Sequence, residues 1–267
     1  VWRAWTQCGG LRRAESGGDV SATIADVLAG RAMWAAGCCD GFALARWLGA
    51  GAVDHVIGDP PYDEQTHAGT RSMKDKGAAT FIDFAALPPV ETFLPGLVAV
   101  ARRWTILFCA EVMLGDYKRA AGGARDVGGG WVRAGIWHRT NSTPQLTGDR
   151  PAAGCEALSI LHAPGGKMRW NRGGDQAFWE GPIDRDARRM HPTKKPLWLM
   201  EALIRDFTDP GDLIFDPTMG EGTTGEAAIN LGRRFIGCEI ANGVDASGAY
   251  DAKRDYFGAA VKRLTRS

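Results

Sequence analysis

The chain has 267 residues, of which 45% are hydrophobic and 24% are charged, a balance typical of soluble globular proteins that excludes disordered and fibrous classes. Its length suffices for one large α/β domain or two small ones, and we expect a single domain over residues 1–267. The formal net charge is only +1. Any surface for a polyanion must therefore be a local patch rather than a global basic field.

The cysteine spacing and the apolar runs exclude further classes. The six cysteines lack any C-x-x-C spacing, which predicts reduced thiols and no metal site. No run reaches about 18 apolar residues, so no membrane span is expected. The N-terminus lacks the apolar core of a signal peptide, and we expect a cytoplasmic protein.

Helices and strands alternate through the first half of the chain. Apolar patterning predicts a helix at 23–29, a strand at 32–38, helix 41–48, strand 53–58, helix 90–102, strand 104–109 and helix 112–121. The polar loop that follows strand 53–58 runs to Thr80. A loop of that length suggests function.

The second half contains a predicted antiparallel pair and then a further βαβ unit. The strand-like runs 131–138 and 156–162 have nothing helical between them, which predicts an antiparallel hairpin at the sheet edge. Periodicity is lost over 163–190, where tryptophans alternate with basic residues, and we predict a binding insert there. The remaining predicted elements are helix 195–207, strand 212–215, helix 223–231, strand 234–238 and helix 252–264. The expected fold is α/β, with a mostly parallel sheet.

A glycine-rich turn, Asp216–Thr224, lies between a predicted strand and a predicted helix. Glycines let backbone approach a ligand, and a helix N-terminus presents free N–H groups to an anion. Glu239 ends the next strand, where an acidic residue commonly accepts hydrogen bonds from ribose hydroxyls. The pattern favours a nucleoside-containing ligand; the alternative is that the glycines only make a tight helix entry.

The tetrapeptide Asp59-Pro60-Pro61-Tyr62 directly follows strand 53–58. Pro-Pro could simply end strand pairing. Two prolines also fix the backbone, so that the Asp59 carboxylate and the Pro60 carbonyl can face one point. An exocyclic amine suits that point, because both acceptors would take its hydrogens while Tyr62 stacks on the base.

These motifs make the chain resemble the DNA amino-methyltransferases, which have D-P-P-Y as catalytic motif and D-P-F-x-G-x-G-T-T as cofactor motif. The second is matched by residues 216–224, and His191-Pro192-Thr193-Lys194-Lys195-Pro196 resembles the H-P-T-x-K-P segment that precedes it. The order, with the catalytic motif first, resembles the β class, a circular permutation of the common order. The resemblance implies a Rossmann-like S-adenosylmethionine-dependent methyltransferase fold. It covers about residues 32–240.

The resemblance also implies a set of cofactor residues. S-adenosylmethionine would be bound with Asp40 at the adenine, Glu239 at the ribose, and the remainder around its methionine part: His191, Thr193, Lys195, Asp216, Pro217, Thr218, Gly220, Gly222, Thr223 and Thr224. Thr218 replaces the usual Phe, which removes an apolar contact beside the cofactor. Lys194 replaces the usual Gln.

The expected reaction is direct methyl transfer to the amine of a base flipped out of DNA. Asp at the first motif position resembles the N6-adenine enzymes, whereas Ser there resembles the N4-cytosine enzymes. Candidate nucleic-acid contacts are the polar and basic residues His67, Arg71, Lys74, Lys76, Lys167, Arg169, Trp170 and Arg172. For any single Arg the alternative is a solvated surface charge.

Several alternatives remain open at this point. N4-cytosine in DNA, adenine in RNA and a nucleic-acid-binding module without catalysis all suit the same motifs. A protein glutamine methyltransferase would have N-P-P-Y and the opposite motif order. The insert is short for reading duplex DNA, so either a homodimer or a brief target site is expected.

Overall fold

The computed structural model describes residues 22–61, 88–122, 130–165, 167–184, 194–240, 242–244 and 250–267. Helices within these ranges are α1 Ile24–Leu28, α2 Gly41–Leu48, α3 Val90–Val100, α4 Leu114–Ala120, α5 Leu197–Phe207, α6 Thr223–Asn230 and α7 Tyr256–Leu264, with a 3-10 turn at Glu111–Met113. Strands are β1 Trp34–Gly37, β2 His55–Gly58, β3 Trp104–Cys109, β4 Gly130–Arg139, β5 Cys155–His162, β6 Phe178–Gly181, β7 Leu213–Asp216, β8 Arg234–Cys238, β9 Asn242–Val244 and β10 Tyr250–Asp255.

Eight strands form one mixed sheet in the order β1-β8-β7-β2-β3-β5-β4-β6. The first five of these are mutually parallel. Strand β5 then runs antiparallel to both β3 and β4, and β6 is parallel to β4. The carboxyl ends of β1, β8, β7, β2 and β3 consequently lie along one edge of the sheet.

The helices cover both faces of the sheet because its central strands are apolar on both sides. In β3, Ile106 and Phe108 face one hydrophobic cluster, while Leu107 and Cys109 face the other. This alternation is the two-residue period of an extended strand. Helices α1 to α4 pack on the second face and α5 to α7 on the first, giving three layers.

Most predicted elements are confirmed, and three of them, 41–48, 104–109 and 234–238, match at both ends. The antiparallel pairing of β4 with β5 is also confirmed. The hairpin is not the outermost part of the sheet, however. Strand β6, which the sequence did not predict, pairs with β4 and forms the edge inside the insert.

The end of the chain departs from prediction in a similar way. Helix α7 begins at Tyr256 rather than at 252, because residues 250–255 form β10, which pairs antiparallel with β9. None of the five cysteines in the part of the chain that the structure describes forms a disulfide. Two of them, Cys39 and Cys238, lie 3.3 Å apart between their sulfur atoms.

Candidate active site

Four acidic residues stand at the carboxyl ends of neighbouring parallel strands. Asp40 follows β1, Glu239 follows β8, Asp216 ends β7 and Asp59 follows β2. Strand order places them side by side along one edge of the sheet. Ligands of open α/β sheets bind at this edge, so the structure brings the two sequence motifs into one site.

The two motifs approach each other closely where β2 adjoins β7. A Cβ atom added to Gly58 would lie 3.0 Å from Asp216 Oδ1 and 3.1 Å from Pro217 Cδ. Glycine at 58 therefore permits the backbone that leads into Asp59 to pass directly beside the start of the glycine-rich turn. Pro60 is buried and Pro61 partly exposed.

A buried ammonium contacts the Asp59 carboxylate. Lys195 Nζ lies 2.7 Å from Asp59 Oδ2 and 3.1 Å from Glu156 Oε2. The resemblance implies that Lys195 lies at the methionine part of the cofactor, whereas in the structure its ammonium contacts Asp59 and Glu156, a residue that sequence reasoning missed. Glu156 opens the predicted strand 156–162, and only the pairing of β5 beside β3 brings it to the site.

Asp216 is buried under the turn that it opens. Burial raises the pKa of its carboxyl to about 7, against hydrogen bonds from the Thr224 side chain and the Thr218 backbone N–H that lower it, and the charges of Asp59 and Glu239 add to the rise. Near neutral pH this carboxyl is thus poised to ionise when a cation arrives beside it.

The glycine-rich turn is open on the side of Gly220. A Cβ atom at Gly220 would meet nothing within 4 Å, and its φ of +52° lies in the left-handed region. Its backbone N–H donates to Glu239 Oε2 at 3.0 Å. The turn ends at Gly222, with φ +79°, which is the N-cap of α6.

Three threonines line this turn. Thr223 and Thr224 begin α6 and are buried. The hydroxyl Oγ1 of Thr218 is buried without a hydrogen-bond partner. An orphaned hydroxyl at this position is suited to a polar ligand atom, where the family's usual Phe would offer only apolar contact.

Asp40 has a structural task in addition to its predicted one. Its carboxylate Oδ1 accepts hydrogen bonds from the backbone N–H groups of Phe42 at 2.8 Å and Ala43 at 3.2 Å, capping α2. The helix start lies against the glycine-rich turn, because a Cβ atom on Gly41 would be 2.1 Å from the carbonyl oxygen of Pro217. Sequence reasoning did not identify Gly41.

The residues of the insert that were predicted to contact nucleic acid differ in how far they are buried. Trp170 is half-buried and packs edge-on against Phe207, with ring centroids 4.7 Å apart, so most of its surface serves the core. Arg169 is largely exposed and pairs with Asp209 at 3.1 Å. Arg172 pairs with Asp175 and Asp206, while Lys167 is exposed.

The remaining predicted site residues, Tyr62, His67, Arg71, Lys74, Lys76, His191 and Thr193, lie outside the described residues. No helix in the described ranges is long and apolar enough to cross a membrane. Over those same ranges, no group of three or more His, Cys, Asp or Glu side chains is arranged to hold a metal ion.

Sequence comparisons match part of the chain to DNA methylases. A family model described as DNA methylase matches residues 134–244. Type II methyltransferase M2.DpnII of Streptococcus pneumoniae is 40% identical over 89 residues, which are 32% of this chain and 29% of that relative. Type II methyltransferase M2.LlaDCHI of Lactococcus lactis subsp. cremoris is 35% identical over 91 residues, 33% of this chain and 29% of that relative. The match therefore spans less than a third of each relative.

Comparison with solved structures covers most of the fold. The crystal structure of the M1.HpyAVI–SAM complex is 25% identical, with a TM-score of 0.60 over 87% of this chain and 100% of that one. The cytosine-N4-specific PvuII DNA methyltransferase is 14% identical, with a TM-score of 0.57 over 88% and 94% of the two chains, which is a likeness of fold alone. The chain therefore has the mixed, mostly parallel α/β fold of the S-adenosylmethionine-dependent DNA methyltransferases.

Proposed function

We propose that this chain is a DNA methyltransferase that moves a methyl group from S-adenosylmethionine to the exocyclic N6 amine of adenine. The observation that supports this most strongly is the meeting of Asp59 and Asp216 at the ends of adjacent strands, with Gly58 and Asp216 in near contact. The match of residues 134–244 to DNA methylases supports the same reaction. The order of the two motifs supports a β-class, permuted arrangement.

The residues around the glycine-rich turn fit the cofactor. Open space at Gly220 and the orphaned Thr218 hydroxyl leave room and a polar partner for it. Asp216 would carry the compensating charge for the cationic methionine part, while Glu239 and Asp40 stand at the next two strand ends for ribose and adenine. When bound, S-adenosylmethionine would supply an electrophilic methyl group on its sulfonium, with the thioether as leaving group.

The catalytic motif would hold the target amine. The Asp59 carboxylate and the Pro60 carbonyl would accept hydrogen bonds from its two N–H groups. The nitrogen lone pair would then face the methyl carbon. Tyr62 stacks on the base after the base leaves the duplex, a step that costs a few kcal/mol. As the nitrogen–carbon bond forms, the nitrogen gains positive charge, which the Asp59 carboxylate stabilises before a proton is lost to solvent.

DNA contacts would come from the insert and from the loop after the catalytic motif. Lys167 and Arg169 are exposed, whereas Trp170 contributes mainly to packing. Arg169 pairs with Asp209, which precedes β7, so it lies at the amino ends of the parallel strands and not at the edge that holds Asp59 and Asp216. Contact of these two residues with phosphate stays a prediction. A homodimer stays a prediction for the whole protein.

The direct test is to incubate the protein with unmethylated DNA and isotope-labelled S-adenosylmethionine and to identify the modified nucleoside by mass spectrometry. We expect N6-methyladenine. N4-methylcytosine would overturn the base assignment, label in RNA alone would overturn the DNA assignment, and cofactor binding without transfer would support a binding module.

The first prediction concerns Asp59. Asp59→Ala should reduce methyl transfer by at least about 100-fold, because the amine loses its charged acceptor, while the dissociation constant of S-adenosylmethionine, measured by calorimetry, changes little. Asp116→Asn, on an exposed helix surface, is the control and should keep full activity. Substantial turnover by Asp59→Ala would contradict the mechanism.

A further inference from the structure

Lys195 is the most buried cation beside the catalytic motif. Its side chain is 7% exposed and its ammonium contacts Asp59 and Glu156 at 2.7 and 3.1 Å. Burial acts to lower the pKa of Lys195, but the charges of the two carboxylates outweigh it and hold the pKa above its usual value. The ammonium is therefore charged throughout the working pH range, and a charge so buried is retained only when it is paired.

The two carboxylates reach Lys195 from different elements. Asp59 follows β2, and Glu156 lies near the start of β5, with β3 between them in the sheet. Lys195 lies two residues before α5 and its Nζ is 4.8 Å from the centre of the Phe108 ring on β3. The ammonium thus bridges the catalytic strand end to the antiparallel part of the sheet.

Glu156 is itself fixed by an arginine. Arg139 Nη1 lies 3.2 Å from Glu156 Oε1, and its Nη2 donates to the carbonyl oxygens of Ala153 at 3.1 Å and Cys155 at 3.3 Å. One oxygen of Glu156 thus contacts Arg139 and the other contacts Lys195. The result is a row of alternating charges that runs from Arg139 on β4 to Asp59.

We propose that Lys195 and Glu156 are positioning residues for Asp59, with Lys195 fixing the orientation of its carboxylate and Glu156 fixing Lys195 and offsetting its charge. This inference rests on the proposed function. An ammonium beside Asp59 orients the carboxylate but also opposes the positive charge that develops on the amine during transfer. A second carboxylate on the same ammonium reduces that opposition while keeping the orientation.

Other ionisable groups face Asp59 from the surrounding elements. Burial raises the pKa of Cys109, on β3, to about 12, and it also raises the pKa of Tyr117, on α4. The charge of Asp59 adds to both shifts. Both side chains consequently stay neutral where an enzyme would be assayed. Among the described residues, Asp59 contacts the charge of Lys195, which pairs with Glu156 and through it with Arg139, and the charge of Asp59 acts on Asp216 at the end of β7.

The test compares Lys195→Met with Glu156→Gln. Each should lower kcat by about 100-fold, the order expected when a reacting group is misplaced by about 1 Å, with the KM for S-adenosylmethionine within about twofold of wild type. The acid limb of the kcat profile should move to higher pH in Lys195→Met, because Asp59 loses its cation. In Glu156→Gln the acid limb should move to lower pH. Asp59 loses a nearby negative charge, and the charge of Lys195 is no longer shared with Glu156.

Two further variants separate positioning from folding. Lys195→Arg keeps the charge and should recover part of kcat and the wild-type limb. Glu226→Gln removes the charge of a carboxylate that is about as exposed as Glu156 and that pairs with Arg263, and it should leave activity unchanged. If both site variants lose activity equally at all pH values, with no movement of the limb, the role is structural and the proposal is wrong.

Two readouts do not depend on turnover. A cofactor dissociation constant weakened tenfold or more in Lys195→Met would overturn the proposal and return Lys195 to the cofactor. A double-mutant cycle of Asp59→Asn with Lys195→Met, measured by urea unfolding, should be non-additive. Should the wild type transfer no methyl group to DNA, the proposed function fails; an additive cycle would then remove the pairing as well, and a non-additive one would keep Lys195 as the partner of Asp59.

Discussion

At the scale of single residues, the site depends on glycines, which have no side chain, as much as on its acidic and basic residues. Gly41 allows the backbone of Pro217 to pass where a Cβ atom would otherwise lie, and Gly58 does the same for the side chains of Asp216 and Pro217. The Gly41 contact is the tighter of the two, since it involves the carbonyl oxygen and Cα of Pro217, at 2.1 and 2.5 Å from the added atom. Backbone atoms cannot rotate away as the end of a long side chain can.

Gly41→Ala should therefore destabilise the protein by about 1–3 kcal/mol, as overpacking does, and should weaken cofactor binding by displacing Pro217. Gly96→Ala is the matched control in helix α3: its Cβ would meet only the flexible side chain of Arg46 at 3.4 Å. Helix propensity alone favours Ala over Gly by about 1 kcal/mol. The free energies of unfolding of the two variants can be compared by urea unfolding. A Gly41→Ala protein as stable as Gly96→Ala would contradict the close contact of Gly41 with Pro217.

Sequence reasoning located the residues that belong to linear motifs and missed those that depend on tertiary contacts. Asp59 and Asp216 were predicted because each follows an apolar run within a recognisable motif. Glu156 and Gly41 carry no local signal. Glu156 reaches the site through the register of β5 on β3, and Gly41 through the meeting of α2 with the turn after β7.

At the scale of elements, the strand ends and the helix starts define the site together. Helix α2 begins at Gly41 because Asp40 caps it, and α6 begins at Thr223 because Gly222 adopts a left-handed conformation with φ +79°. A Cβ atom on Gly222 would lie 3.1 Å from the Cβ of Ala260, so α7 packs closely on this helix start. The conformation of the glycine-rich turn is thus supported from the C-terminal helix.

The double task of Asp40 can be separated by substitution. Asp40→Ala removes the cap of α2 and should lower the free energy of unfolding by about 1 kcal/mol. Asp40→Asn keeps a capping oxygen and should unfold like the wild type in urea. Equal stability of all three proteins would show that the two hydrogen bonds to Phe42 and Ala43 contribute nothing to α2.

Elements that contain a clear apolar run or period were predicted from sequence, and the short elements that lack one were not. Strand β6 has only four residues and alternates between exposed and buried positions beside a glycine pair, Gly173 and Gly174. Its pairing with β4, a long-range interaction, makes it a strand. Residues 252–255 of β10 were likewise predicted as the start of the last helix, since they offer no apolar alternation.

At the scale of the whole molecule, the two ends of the central strands hold buried ionisable groups with opposite effects on stability. At the carboxyl ends, Asp216 has its pKa raised to about 7 by burial. At the amino ends, His55 is fully buried, and burial lowers its pKa, although its contact with Asp212 at 2.9 Å acts to raise it. Burial also acts to raise the pKa of Asp212, but hydrogen bonds from His55 and the Asp209 backbone outweigh it and lower that pKa.

The signs of these shifts give opposite pH dependences. The folded state favours neutral Asp216, so its contribution is fully present below 3.8, the unfolded value, and is lost as pH rises through about 7. The folded state also favours neutral His55, so its contribution is present above 6.5 and is lost as pH falls below that value. Below pH 6.5 the two contributions change in opposite directions with pH and partly cancel, so the Tm of the wild type should depend only weakly on pH there.

Isosteric variants should reveal each slope. Asp216→Asn cannot ionise, so its Tm relative to wild type should rise from pH 4 to about pH 7 and then level off. His55→Gln can keep a hydrogen bond to Asp212 without titrating, so its Tm relative to wild type should rise as pH falls from 7 to 5. Differences that stay constant across pH would contradict the shifts. Because the ionised form of Asp216 is the one suited to a cationic ligand, S-adenosylmethionine should bind wild type more tightly as pH rises through 7, and that pH dependence should disappear in Asp216→Asn.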